Sequence, residues 1–147
     1  MTRLASCVLA LAALVPVGSA IAAPATLEAV LHKDPWCGCC NAYADYLEQH
    51  GMTVTRVDHA DMMPVKQQLG TDQAPSCHTV ELDGYVIEGH VPVAAIQKLL
   101  AERPKAVGIS VPGMPQNSPG MGPEIPGTLP VYLLDESGKV VAEYGRF

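Results

Sequence analysis

Three thiols lie within four residues in the stretch Asp34-Pro35-Trp36-Cys37-Gly38-Cys39-Cys40, between an apolar run and a helical pattern. A C-x-x-C pair, Cys37 and Cys40, at a helix start sets its first sulfur over unsatisfied backbone N–H groups and the positive end of the helix dipole, which favours thiolate over thiol. Thiolates attack disulfides and bind metals. A plain redox motif carries a non-sulfur residue where this chain has Cys39, and the third thiol tilts the chemistry toward a soft metal, with Cu(I) the natural candidate.

The compartment and the cysteine count sharpen that choice. Arg3, the apolar run Leu4 to Gly18 and the small-residue site Ala20-Ile21-Ala22 read as a secretory signal over residues 1–22, leaving a mature chain of residues 23–147. Leu4-Ala5-Ser6-Cys7 looks like a lipoprotein box but precedes the apolar core of the signal, so lipidation is rejected. No later apolar run approaches the roughly 20 residues of a membrane span, and the mature protein is expected to be soluble and periplasmic. Removal of Arg3 leaves 8 basic residues against 15 acidic ones, a net charge of −7, which argues against nucleic acid as a partner. Removal of Cys7 leaves 4 cysteines, which in an oxidising compartment could form two structural disulfides. Spacing argues against that, because adjacent Cys39 and Cys40 pair only with strain and clustered thiols staple almost no loop.

The 147 residues suit one domain. Thr26 to His32 reads as a strand bounded by prolines, and Asn41 to His50 as a helix with Tyr43, Tyr46 and Leu47 on one face and Gly51 as its stop. Thr53 to Val57 is a second strand. Asp61 caps a short helix with Met62, Val65 and Leu69 facing inward, Met63 on the rim and Gly70 at the end. Cys77 to Leu82 and Tyr85 to Glu88 flank Asp83-Gly84, a two-residue hairpin signal. Pro92 opens a third helix with Val93, Ile96, Leu99 and Leu100 inward, closed at Arg103-Pro104. This β-α-β-α-β-β-α order, with cysteines at the first strand-to-helix junction, matches a thioredoxin-like α/β fold with a mixed sheet and helices on both faces. A long Pro/Gly/Met loop from Val111 to Gly127 and a C-terminal hairpin, Val131 to Leu134 with Lys139 to Tyr144, complete the chain.

In such a fold the segment entering the third strand lies beside the first helix, bringing Cys77 to Cys37 and Cys40 as a fourth sulfur. Strand alternation sends His78 to the face opposite Cys77, leaving a structural hydrogen-bonding role and ligation equally open. For His90 a turn or capping role is at least as good a reading as a functional one. His32 reads as a plain strand-end histidine, His50 and His59 carry no signal, and Trp36 is expected to shield the sulfurs.

Pro35-Trp36-Cys37-Gly38-Cys39-Cys40, Ser76-Cys77-His78-Thr79, Gly84 to Pro92 and Val111-Pro112-Gly113-Met114-Pro115 together resemble the CopG-type periplasmic copper-resistance family, also described as domain of unknown function 411. The resemblance implies a thioredoxin-like domain that binds copper, as a small Cu(I) cluster, through Cys37, Cys39, Cys40 and Cys77, and it leaves copper redox activity open. Met114 carries over as a thioether ligand or lid, with Met121 a lesser candidate, and other periplasmic copper-handling proteins are the implied partners. The main rival is a thiol–disulfide oxidoreductase with Cys37 as nucleophile and Cys40 as resolving thiol. It leaves Cys39 and the Met-bearing loop unused. A structural zinc site ranks third, since its ligands usually arrive as two separated pairs.

Overall fold

The computed structural model describes residues 26–147, so the expected signal segment, residues 1–22, lies outside the described residues. In chain order the elements are β1 (Leu27–Lys33), α1 (Gly38–Gln49), β2 (Met52–Asp58), α2 (Met63–Leu69), β3 (His78–Leu82), β4 (Tyr85–Glu88), α3 (Val93–Glu102), β5 (Gly108–Ser110), β6 (Pro130–Leu134) and β7 (Val140–Arg146). They form a mixed α/β structure around one seven-stranded sheet, in the order β2-β1-β3-β4-β5-β6-β7. β1 runs parallel to β2 and antiparallel to β3, and β4 runs parallel to β5.

Helix α1 begins at Gly38, earlier than Asn41, because a cysteine caps it. Cys37 holds an extended backbone, and its Sγ accepts the Cys40 N–H at 3.3 Å, satisfying one of the free donors of the first turn. The thiol motif therefore lies inside the helix start and not in the loop before it. Asp83 and Gly84 both have positive φ, 49° and 83°, as a tight hairpin turn between β3 and β4 requires.

The two faces of the sheet carry different chemistry. Leu31 lies opposite Val80 and Ala29 opposite Leu82, so these side chains share one face, and they pack in the core with Tyr43 and Leu47 of α1 and Ile96 and Leu99 of α3. The other face carries His32, Thr79, Glu81 and Glu88, and there α2 makes its main inward contact through a charge. Lys66 was not expected inside, yet it is buried, with its Nζ 2.5 Å from Glu88 Oε1 and donating to Thr79 Oγ1 at 3.0 Å. Val65 and Leu69, expected to face the core, are only half-buried.

One strand was not anticipated. β5 is three residues, Gly-Ile-Ser, too short to show alternation, yet it joins the C-terminal hairpin to the rest of the sheet by pairing with both β4 and β6. Gly108 is required there, since a Cβ would meet Val86 O at 1.7 Å. The long loop that follows is tied down: Ser118 and Pro119 are buried, and Gly120 (φ 77°) sits so close to α1 that a Cβ would lie 2.8 Å from Tyr43 N.

The Lys66–Glu88 pair gives the fold its clearest stability test. Glu88 also accepts from Thr79 Oγ1 at 2.6 Å and from Ser76 N at 2.6 Å. Removing one partner strands a buried charge, so Glu88→Ala is expected to lower stability to urea by about 3–5 kcal/mol, while the double replacement Lys66→Met with Glu88→Leu costs much less. Equal costs for the single and double variants would show that the pair is not coupled.

Candidate metal centre

The site forms where the turn after β1 meets the start of β3. Cys37 N donates to Asp34 O at 3.1 Å and Trp36 N to Asp34 Oδ1 at 2.8 Å, so a tight turn presents Cys37 at the head of α1. Antiparallel pairing sets Lys33 opposite His78 and thereby delivers Cys77, the residue before β3, to the same spot. The Cys77 approach is fixed from below by the Ser76 N–H bond to buried Glu88.

All four expected sulfurs converge. The Sγ atoms of Cys37, Cys39, Cys40 and Cys77 lie within 4.8 Å of one another. Cys37 and Cys40 form a disulfide with Cα atoms 5.3 Å apart, while Cys39 and Cys77 are free thiols. Cys39 sits between the other two segments, its Sγ 3.5 Å from Cys37 Sγ and 3.8 Å from Cys77 Sγ. Burial and the neighbouring Cys39 push the Cys77 thiol up to about 12, so it keeps its proton at neutral pH.

Two histidines join the sulfurs, and sequence reasoning left both undecided. His90 Nδ1 donates to Pro119 O at 2.7 Å, which leaves the Nε2 lone pair to accept from the Cys77 thiol at 3.0 Å. The long loop therefore sets the tautomer of a site histidine. His78 Nδ1 is 3.3 Å from Cys77 Sγ, while its Nε2 is buried without a hydrogen-bond partner. Alternation failed for Cys77 and His78 because β3 starts at His78, so Cys77 lies outside the pleated strand. Cys77, His78 and His90 thus make a second close donor group that shares one sulfur with the first. Burial holds the pKa of both histidines below the usual imidazole value, with the proximity of His90 and Lys66 adding to the effect at His78. Tyr43 of α1 walls this group, its ring centroid 4.5 Å from that of His78, and its hydroxyl donates to Val91 O at 2.7 Å.

The remaining expected residues fare differently. Trp36 does not shield the sulfurs: it is 91% exposed, because the Asp34 turn directs it outward from the helix start. Met114 is also exposed, but its loop is anchored beside the site, since Gly113 N donates to Pro75 O at 3.1 Å and Ser76 Oγ donates to Gly113 O at 2.5 Å. Met121 is half-buried and closes a turn through its N–H to Ser118 O. With the Cys37–Cys40 disulfide reduced, soft sulfurs with neutral imidazoles beside them form a donor set suited to Cu(I) or Zn(II), and no carboxylate joins the cluster among the described residues, which disfavours a hard cation.

Known proteins carry related features. The family described as "Protein of unknown function, DUF411" matches residues 74–121, the span from the Cys77 approach through the long loop. No curated protein sequence matches the chain. Among solved structures, "Copper resistance protein copG" in its form 2 is 41% identical, with a TM-score of 0.74, over 84% of this chain and 99% of that one. Form 1 of the same protein gives the same identity and TM-score over 98% of its length. At that identity over nearly the whole of the solved chain, this protein belongs to the CopG copper-resistance family.

Proposed function

We propose that this chain is a periplasmic copper-resistance protein that holds Cu(I) on the thiolates of Cys37, Cys39, Cys40 and Cys77, with a methionine of the long loop, Met114, completing or covering the site. The observation that carries the reading is the convergence of those sulfurs within 4.8 Å from two segments far apart in sequence. Thiolates that close can bridge metals, and softness favours Cu(I). The name of the relative, a copper resistance protein, supports copper as the cargo. The strand order β2-β1-β3-β4, with β1 parallel to β2 and β3 antiparallel to β1 and β4, supports a thioredoxin-like core under the added β5–β7 strands. Export to the periplasm rests on reading residues 1–22 as a secretory signal.

Binding by Cys37 and Cys40 requires their disulfide to be reduced first. The reverse reaction supplies a redox role: closing that disulfide releases two electrons and two protons, and the electrons convert two Cu(II) ions to Cu(I). The rival reading, a thiol–disulfide oxidoreductase, is favoured by one specific feature, the Cys37–Cys40 disulfide at the helix start. It gives no role to Cys39, which bridges the two cysteine segments.

Reduced mature protein is expected to bind more than one Cu(I) per chain anaerobically and to retain it against zinc; preference for zinc would contradict the reading. Replacing Cys39 or Cys77 with Ser removes one soft donor, and each change should lower copper stoichiometry or weaken affinity at least about tenfold. Apo-protein melting should move little in either variant. Full copper affinity in Cys39→Ser, together with rapid insulin reduction by the wild type, would establish the oxidoreductase instead.

The raised Cys77 pKa gives a pH test on the disulfide form. Because only the thiolate alkylates, Cys77 should react with iodoacetamide at pH 8 far more slowly than an unperturbed thiol, and its rate should keep rising about tenfold per pH unit beyond pH 10. Site-resolved mass spectrometry reads this directly. A plateau near pH 9 would show that burial does not hold the thiol protonated.

A further inference from the structure

Beneath the α2 side of the sheet, three side chains unused by the thiol site form a connected chain. His32 Nε2 is 2.9 Å from Glu81 Oε1, and His32 Nδ1 is 2.9 Å from His59 Nε2. His32 sits on β1, His59 follows β2, and Glu81 lies on β3, so sheet pairing and not local sequence brings them together. The His59 backbone N–H donates to Lys33 O at 2.8 Å, which holds the residue against β1. The His32 side chain is 14% exposed and that of Glu81 50% exposed, so the group is ordered by its neighbours yet open to solvent.

We infer that His32 and His59 form a second metal site, selective for Cu(II), with Glu81 as the residue that orients His32. A carboxylate on the far nitrogen of an imidazole fixes its tautomer and raises its strength as a ligand, the arrangement that accompanies most metal-bound histidines. With His32 Nε2–H donating to Glu81, the Nδ1 lone pair is turned toward His59. The two facing nitrogens hold a single proton between them, and a metal ion takes its place when the rings rotate so that both lone pairs converge. Two imidazole nitrogens completed by oxygen donors bind Cu(II) more tightly than the other divalent first-row metals, which gives the site its preference. Water fills the remaining positions. No thiol belongs to this group, so an ion held here is not exposed to direct reduction by a ligand, unlike one at the Cys37 cluster. β1 ends one residue after His32, at Lys33, and the Asp34 turn carries the chain from there to Cys37. The site would hold the oxidised metal close in sequence to the centre that takes the reduced one, and its choice of metal rests on the copper reading above.

The test uses the mature chain in its disulfide form, with Cys39 and Cys77 alkylated so that no thiol can bind or reduce the metal. Titration with Cu(II), followed by electron paramagnetic resonance, should give a tetragonal signal with nitrogen coupling. His32→Gln and His59→Gln should each weaken binding at least about tenfold and reduce the nitrogen coupling, and Glu81→Gln should weaken it by less. His50→Gln, an exposed histidine bonded to Tyr46 O, should behave as wild type. His59→Gln lies past the end of β2 and decides the matter if His32→Gln fails to fold. Cu(I) uptake by reduced, unalkylated His59→Gln should equal that of the wild type. Unchanged Cu(II) affinity and spectra in a folded His59→Gln would overturn the proposal, whatever the cysteines do. Loss of Cu(I) uptake by the cysteine variants alone bears only on the thiolate centre.

Discussion

The pairing of β3 with β1 is the constraint on which the site depends. Register sets Lys33 against His78, and from that one alignment Cys77 is delivered to the turn that carries Cys37. A shift of one residue would turn the His78 and Thr79 side chains to opposite faces and carry Cys77 away from Cys39. Several features resist such a slip. The tight Asp83-Gly84 turn fixes β3 against β4, apolar Val80 and Leu82 must remain in the core, and Thr79 must meet Glu88 on the other face.

Polar burial around the site follows a division of labour. Lys66, Glu88 and Thr79 satisfy one another, and Glu88 extends that network to the Ser76 N–H, so the segment before Cys77 rests on a charged but paired support. On the opposite side His78 and His90 are buried and Cys77 is half-buried, all three in neutral form. Neutral imidazoles and a protonated thiol avoid the desolvation cost that charge would carry there. The long loop takes part in this arrangement, because Pro119 O sets the His90 tautomer and Gly113 ties the Met114 segment to Ser76.

The parts legible in sequence were those written in local chemistry. The Cys37-x-x-Cys40 motif, the Asp83-Gly84 turn and the helix stops at Gly51 and Gly70 each state their conformation in a few residues, and the order of elements places Cys77 near Cys37 from sequence alone. What stayed hidden depends on contacts distant in sequence. β5 has a single large apolar residue, Ile109, and becomes a strand only because β4 and β6 flank it. Lys66 reads as a surface residue until Glu88 and Thr79 arrive beneath it. His90 looked like a residue leading into a helix, and nothing local announces that Pro119 and Cys77 will hold its two nitrogens. The outward Trp36 shows the converse error, in which adjacency to the thiols was read as contact with them.

The central claim is that both cysteine segments contribute sulfur to one copper cluster. X-ray absorption at the copper edge on reduced wild-type protein, loaded anaerobically with Cu(I), tests it most directly. The account predicts a first shell dominated by sulfur together with a short copper–copper vector, the mark of metals bridged by shared thiolates. A first shell of nitrogen and oxygen, or sulfur ligation with no copper–copper scattering at full loading, would contradict it.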